Sequence, residues 1–279
     1  TLTTWKNGIT ADADLLKRIY AEGVDLTERA ALFQSCFACF EHNFPTLTHE
    51  PTIFVVRSPG RVNLRGMHID SHGGYINGMC IQMNTIAVVH SRRNVDQESG
   101  GRWRVVNGEN TDDHVDICIG DEVTYSGGQW GKYVAGALRV LLQRNGQGAV
   151  SALQAHAVSI AMSSDIPQGA GLSSSHALVL CILMAANRID PSLSLSLIDL
   201  LLLARAAELE AGAVTGLGDQ GVMLYGKRNC IVHAPFHVTD TGDVSLHSHP
   251  PRYVSVSPQM AVLLADSGER RTLAEGPAK

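Results

Sequence analysis

The sequence lacks the features that mark membrane proteins and nucleic-acid-binding proteins. Its longest apolar stretch, Ala177 to Ala186, is far shorter than the roughly 20 residues that a helix needs to cross a bilayer. There is no run of lysine or arginine, and the formal net charge of −5 gives no attraction for nucleic acid or anionic lipid. The N-terminus has no basic region followed by an apolar one. These absences predict a cytoplasmic protein whose partners are small molecules, with no nucleic acid and no membrane among them.

Zinc and disulfide patterns are missing as well. The six cysteines are scattered through mostly apolar surroundings. Cys36 and Cys39 form a C-x-x-C, but no second pair of Cys or His stands at zinc spacing, and both fall within a predicted helix, Glu28 to Glu41. The pattern therefore predicts free buried thiols in a reducing compartment.

Two common nucleotide-binding motifs are absent, but a glycine- and serine-rich turn of another type is present. No Gly-Lys-Ser/Thr ends a glycine-rich loop, and no G-x-G-x-x-G follows a strand. Residues 167–175 read Pro-Gln-Gly-Ala-Gly-Leu-Ser-Ser-Ser and lead into an apolar helix predicted from His176. Glycines let the backbone approach a ligand, and the amides and hydroxyls of such a turn can bind phosphate or a metal. Taken alone, the stretch fits either an ordinary helix cap or a phosphate loop.

The order of predicted elements favours an α+β fold. At 279 residues and 44 % hydrophobic content, the chain can build a sizeable core. Helical periodicity up to Phe44 predicts a helical lead-in, and the elements that follow show no regular βαβ alternation. Strands are predicted at 53–56, 75–90, 103–106, 115–119, 155–162, 222–225 and 230–233, helices at 131–144, 176–187 and 195–211, and glycine-rich loops or turns at 58–74, 163–175 and 216–221.

Four stretches together resemble the GHMP kinase superfamily, and within it the galactokinases. Residues 167–175 resemble the second GHMP signature, P-x-G-x-G-L-S-S-S. Residues 58–74 share the spacing of the first galactokinase signature, A-P-G-R-V-N-L-I-G-E-H-T-D-Y-N-G-G, over seventeen positions. Residues 130–136 resemble W-x-x-Y-V-x-G, and residues 216–220 resemble G-I-M-D-Q. The resemblance implies the GHMP kinase fold and an ATP-dependent sugar kinase that phosphorylates a monosaccharide, at its anomeric hydroxyl.

The resemblance also implies roles for individual residues. Asp219 matches the catalytic base or orienting carboxylate, and Arg61 matches the arginine that keeps it ionised and reaches the γ-phosphate of ATP. Mg²⁺ would be held by Ser174 and Glu208, although Glu210 competes because the gap to Asp219 is one residue shorter than in galactokinases. The ATP phosphates would be wrapped by Gly169, Ala170, Gly171, Leu172, Ser173, Ser174 and Ser175.

The sugar site departs from the family pattern at one position. His68 and Asp70 match residues that hydrogen-bond ring hydroxyls, and Gly216 would bring its backbone close to the sugar. Met67 stands where galactokinases have a glutamate for the C6 hydroxyl of galactose. An unpaired buried hydroxyl costs roughly 1–3 kcal/mol. We therefore expect a sugar without that hydroxyl, such as arabinose or fucose.

The resemblance divides the chain into three parts. Residues 1–50 are the helical lead-in, residues 51–255 the ATP-binding domain, and residues 256–279 the start of an apparently incomplete C-terminal domain whose first strand would be Met260 to Ser267. The third family signature is missing, and we expect the natural protein to continue. Two alternatives stay open: a catalytically silent regulator that binds sugar and ATP, and a GHMP kinase for a non-sugar alcohol.

Overall fold

The structure is a computed structural model that describes residues 1–265, apart from 11–12, 21–23, 67, 94–100, 109, 121, 240–242, 258 and 261. Helices and strands are mixed along the chain, which confirms the α+β prediction. The helices are α1 (Leu2–Thr10), α2 (Ala13–Ile19), α3 (Leu26–Asn43), α4 (Gly131–Gln154), α5 (Ser174–Ile189), α6 (Leu197–Glu210) and α7 (Gly218–Tyr225). The strands are β1 (Phe54–Arg65), β2 (Ile76–Arg93), β3 (Gly101–Asn107), β4 (Asn110–Ile119), β5 (Val123–Gly127), β6 (His156–Ser164), β7 (Cys230–Ala234) and β8 (Arg252–Ser255).

The eight strands form one sheet in the order β5-β4-β3-β6-β2-β7-β8, with β1 paired to β2. Only the β3–β6 pair is parallel among the pairs that the structure describes. Strand β2 has 18 residues, and this length lets it pair with β1, β6 and β7. The sheet thereby brings the first sequence motif, on β1, beside the loop that follows β6.

Helices cover both faces of the sheet. Helices α4, α5 and α6 pack with one face in the largest apolar cluster. The lead-in helices α1, α2 and α3 pack against the other face, with Phe37 and Phe40 of α3 fully buried. Truncating a buried phenylalanine to alanine typically costs about 3–5 kcal/mol, so this contact contributes strongly to stability. A third cluster surrounds α7 and β7.

The sequence predictions are wrong in three places. Residues 58–65, predicted as loop, continue strand β1. Pro59 has no amide proton to donate to the sheet, and the register shift between Pro59 and Arg61 accommodates it within the strand. Residues 218–225, predicted as the end of a turn and a strand, form helix α7. The first amide of this helix, at Gly218, donates to the side chain of Asp70 from another segment. Residues 262–265, in the predicted first strand of a second domain, form no strand and pair with none in the described part of the chain.

The six cysteines are free, as the sequence predicts, and Cys36, Cys39 and Cys181 are buried. The predicted burial is wrong for the other three, because Cys118 is exposed and Cys80 and Cys230 are half-buried. Burial raises the pKa of the Cys36 thiol to about 12. Among the described residues, no helix is both long and apolar enough to cross a membrane.

Candidate active site

The turn before α5 has the backbone of an anion-binding loop. Gly169 and Gly171 take positive φ values of 69° and 73°, and Ser173, the N-cap of α5, has φ 65°. The Ser173 side chain makes no capping hydrogen bond. The first amides of a helix have no intrahelical acceptor, so in α5 they are left to face an anion. The arrangement fits the phosphate groups of a nucleotide.

Arg61 on β1 joins this loop to the start of α7. Its Nε donates to Asp219 Oδ1 at 2.8 Å, and its Nη2 donates to Asp219 Oδ2. Its Nη1 donates to the Gly171 carbonyl at 2.6 Å, and its backbone amide donates to Leu172 O at 3.2 Å. Gly60 explains the close approach, since a Cβ there would lie 3.1 Å from Leu172 O. Three separate sequence motifs therefore meet at one guanidinium group.

Asp219 is held in its ionised form. Burial by itself would raise the pKa of Asp219, but the imidazole of His176, the charge and hydrogen bonds of Arg61 and the Ser173 hydroxyl outweigh it, so the pKa is lowered. Ser173 Oγ donates to Asp219 Oδ2 at 2.6 Å. The side chain stays 25 % exposed, so a ligand can reach it.

Two of the predicted sugar residues, Asp70 and Gly216, lie together at the start of α7. Asp70 Oδ2 accepts from the amide of Gly218 at 2.9 Å. A Cβ at Gly216 would collide with the Asp70 carboxylate, which explains the glycine at that position. His68 is exposed and has φ 62°, and Met67 lies outside the described residues. The structure thus places Asp70 beside Gly216, which lies three residues before Asp219 in the chain.

Glu208 on α6 is fully buried beneath this group. Both of its carboxylate oxygens are without a hydrogen-bond partner in the described part of the chain. Burial raises the pKa of Glu208 and the Asp219 carboxylate adds to the effect, while the His176 imidazole, the Ser175 hydroxyl and the charge of Lys132 oppose it. A buried carboxylate is costly unless it takes up a proton or a cation reaches it, and the unpartnered oxygens of Glu208 fit the predicted metal ligand.

The competing carboxylate points elsewhere. Glu210 is exposed, and its Oε1 lies 3.5 Å from Arg139 Nη1. No cluster of three or more His, Cys, Asp or Glu side chains in the described residues could hold a metal ion. A cation at Glu208 therefore needs serine, phosphate or water oxygens to complete its coordination.

A cavity of about 630 Å³ opens beside the phosphate loop. Gly169, Ser174 and Ser175 line one side of it, and Trp130 and Tyr133 contribute aromatic rings. The Trp130 Nε1 donates to Asp113 Oδ2 at 2.8 Å, and both residues line the cavity. A cavity with aromatic walls and a few polar groups next to an anion site is suited to a nucleotide base.

Sequence reasoning missed three residues of this neighbourhood: Asp113, His176 and Thr215. The distance from His176 Nδ1 is 3.6 Å to Glu208 Oε1 and 3.9 Å to Asp219 Oδ2. The sequence places His176 directly after three serines and therefore next to the loop. Its partners on α6 and α7 can be identified only from the structure.

Two family models match the chain. The GHMP kinases N-terminal domain matches residues 132–227, and the galactokinase galactose-binding signature matches residues 38–91. A galactokinase from Roseiflexus sp. is 31 % identical over 222 residues, which are 79 % of this chain and 50 % of the relative. A galactokinase from Pyrococcus furiosus is 30 % identical over 220 residues, which are 78 % of this chain and 54 % of the relative. The chain spans about half the length of the curated relatives that it matches.

A solved structure confirms the fold. The Lactococcus lactis galactokinase, crystallised with galactose, superposes with a TM-score of 0.58 at 21 % identity. The match covers 83 % of this chain and 52 % of that one.

Proposed function

We propose that this chain, which carries a GHMP kinase N-terminal domain and a galactokinase galactose-binding signature, supplies the ATP and sugar sites of a galactokinase-like sugar kinase. The observation that carries the proposal is the contact of Arg61 with both Asp219 and the phosphate loop. A network that joins an anion site to an ionised carboxylate is what phosphoryl transfer to a hydroxyl requires. The proposed location is the cytoplasm.

In this proposal ATP binds along the turn before α5. The amides of residues 169–175 and the Ser173, Ser174 and Ser175 hydroxyls contact the phosphates, and the base occupies the cavity with Trp130 and Tyr133. Mg²⁺ is held by Glu208 and Ser174 and neutralises charge on the phosphates when it is bound. The unpartnered oxygens of Glu208 support this assignment.

Asp219 orients the acceptor hydroxyl and receives its proton late. A carboxylate with a lowered pKa is a weak base, but phosphoryl transfer through a loose transition state needs positioning more than early proton removal. Arg61 holds Asp219 ionised and stands beside the phosphate loop, where it can stabilise charge on the transferred group.

The acceptor is a monosaccharide bound by His68, Asp70 and the backbone at Gly216. The residue type at position 67 supports a sugar without the C6 hydroxyl of galactose, because a methionine sulfur is a weak hydrogen-bond acceptor. Arabinose and fucose fit this requirement. The proposed site of phosphorylation is the anomeric hydroxyl.

A phosphorylation screen tests the function. The natural gene product is assayed with ATP and Mg²⁺ against galactose, its 6-deoxy analogue, L-arabinose, L-fucose and homoserine, with Asp219→Ala as the blank. We expect turnover of a sugar that disappears in the blank, and Met67→Glu should shift preference toward galactose by about ten- to a hundredfold. ATP binding without turnover of any acceptor would instead identify a regulator, and turnover of homoserine alone would identify a non-sugar kinase.

A further inference from the structure

His176 is a buried, polar residue of the site for which the proposed reaction assigns no role. It lies in the first turn of α5 and is 7 % exposed. Its Nδ1 lies 3.6 Å from Glu208 Oε1 and 3.9 Å from Asp219 Oδ2. Both distances are longer than a hydrogen bond.

The other ring nitrogen, Nε2, contacts a hydroxyl group. His176 Nε2 lies 3.1 Å from Thr215 Oγ1, and that hydroxyl donates to the Gly216 carbonyl at 3.3 Å. A hydroxyl has one proton, so when it donates to Gly216 it can only accept from His176. Nε2 therefore donates to Thr215, and Nδ1 is the ring atom that faces the two carboxylates.

The groups that face Nδ1 of His176 are oxygen atoms, and those of Glu208 have no hydrogen-bond partner in the described part of the chain. Ser175 Oγ lies 3.5 Å from His176 Nδ1. Asp219 already accepts hydrogen bonds from Arg61 and Ser173. A cation placed among these acceptors would satisfy both the imidazole and the buried carboxylate.

We propose that Nδ1 of His176 is a nitrogen ligand of the divalent cation held at Glu208, and that this ligand makes the site prefer Mn²⁺ to Mg²⁺. The inference rests on the proposed function, because the cation is taken to bind together with the nucleotide. Imidazole suits transition metals, whereas Mg²⁺ prefers oxygen. The contact from Nε2 through Thr215 to a backbone carbonyl is the kind of outer contact that orients metal-binding histidines.

The test measures bound Mn²⁺ directly. The full chain is titrated with Mn²⁺ in the presence of a methylene-bridged, non-hydrolysable ATP analogue, free Mn²⁺ is followed by electron paramagnetic resonance, and Mg²⁺ is used as competitor. We expect His176→Ala to weaken Mn²⁺ binding about tenfold or more and Mg²⁺ binding less. Thr215→Val should weaken Mn²⁺ binding about tenfold, while His247→Ala, at an exposed histidine, should change neither.

A spectroscopic measurement on the unmodified chain keeps the test independent of any variant's folding. Electron spin-echo modulation of the bound Mn²⁺ should show a ¹⁴N coupling that His176→Ala abolishes and His247→Ala retains. Bound Mn²⁺ without this coupling would overturn the inference. Full Mn²⁺ affinity in His176→Ala, together with weakened Mn²⁺ binding in Glu208→Gln, would also overturn it but would leave the proposed function intact. If the nucleotide analogue does not increase Mn²⁺ binding, and Glu208→Gln has no effect on Mn²⁺ binding, the proposed cation site is overturned as well.

Discussion

At the scale of single residues, the Arg61–Asp219 pair links stability to the chemistry of the site. Arg61 makes two hydrogen bonds to the carboxylate, and Ser173 adds a third. Hydrogen bonds to charged groups contribute roughly 1.5–3 kcal/mol, and leaving a partly buried partner unpaired costs a similar amount. The same contacts that would position an acceptor hydroxyl therefore also hold β1, the phosphate loop and α7 together.

We predict that Asp219→Asn lowers the free energy of unfolding by about 1.5–3 kcal/mol at neutral pH. Because the folded-state pKa of Asp219 is lowered, the unfolded chain binds more protons, and stability rises with pH between the folded pKa and the unfolded value near 3.8. The advantage of wild type over Asp219→Asn should be complete above pH 5 and shrink as the pH falls toward 3. Urea unfolding from pH 3 to pH 7 measures it.

The exposed Glu210 provides a control for this prediction. Its ion pair with Arg139 is 3.5 Å long and partly exposed, so Glu210→Gln should change stability by less than about 1 kcal/mol at every pH. An advantage of wild type over Asp219→Asn that stayed constant between pH 7 and pH 3 would contradict the lowered pKa.

Residue types and motif spacing predict much of this site, but not the contacts between distant segments. The motifs identified Arg61, Asp70, Asp219 and the loop 167–175, which the structure brings together. The choice between Glu208 and Glu210 could not be made from spacing alone, because the residues differ in burial and not in chemistry. His176 escaped notice because its partners lie on α6, on α7 and in the segment between them.

At the scale of elements, backbone conformation accounts for both the correct and the wrong predictions. Long apolar patterns identified α5, α6 and β2 with errors of a few residues. Strand β1 was missed beyond Val56 because proline and glycine favour loops locally, whereas ten paired positions with β2 override that preference. Strands β5 and β8 are short, and their sheet partners, not their own residues, determine them.

The start of α5 supports a prediction about backbone strain. Ser173 has φ 65°, a left-handed conformation that glycine adopts more easily than alanine by about 1 kcal/mol. Ser173→Gly should therefore be more stable than Ser173→Ala by about that amount, although both lose the hydroxyl that donates to Asp219. Chemical denaturation of the two variants measures the difference.

At Ser175, two residues after Ser173, the order of stability of the glycine and alanine variants should reverse. Ser175 lies within α5, where glycine is less favourable than alanine by roughly 0.5–1 kcal/mol. Ser175→Gly should thus be the less stable member of its pair. If the alanine variant were the more stable one at Ser173 as well, a left-handed Ser173 would be contradicted.

At the scale of the whole molecule, an ion pair between a buried arginine and a half-buried aspartate ties the lead-in helices to the sheet next to the phosphate loop. Arg29 of α3 is 6 % exposed, donates to the Asp165 carboxylate, and also donates to Gln82 O at 3.1 Å. Asp165 follows β6 directly, and its Oδ1 accepts from the Asn84 amide of β2 at 2.6 Å. Helix α3 and strands β2 and β6 therefore meet at Asp165, two residues before the phosphate loop begins.

We predict that Arg29→Met lowers the free energy of unfolding by about 3–5 kcal/mol, because it leaves Asp165 without its cation in a largely enclosed position. Arg104→Met is the matched control. Arg104 makes two hydrogen bonds to Asp116, at 2.7 and 2.8 Å, but both side chains are well exposed, so its loss should cost less than about 1 kcal/mol. Equal costs for the two variants would show that α3 is not anchored to the phosphate loop through Asp165. A large cost for Arg29→Met alone, together with weaker binding of an ATP analogue, would show that the helices on one face of the sheet support the nucleotide site formed with the helices on the other.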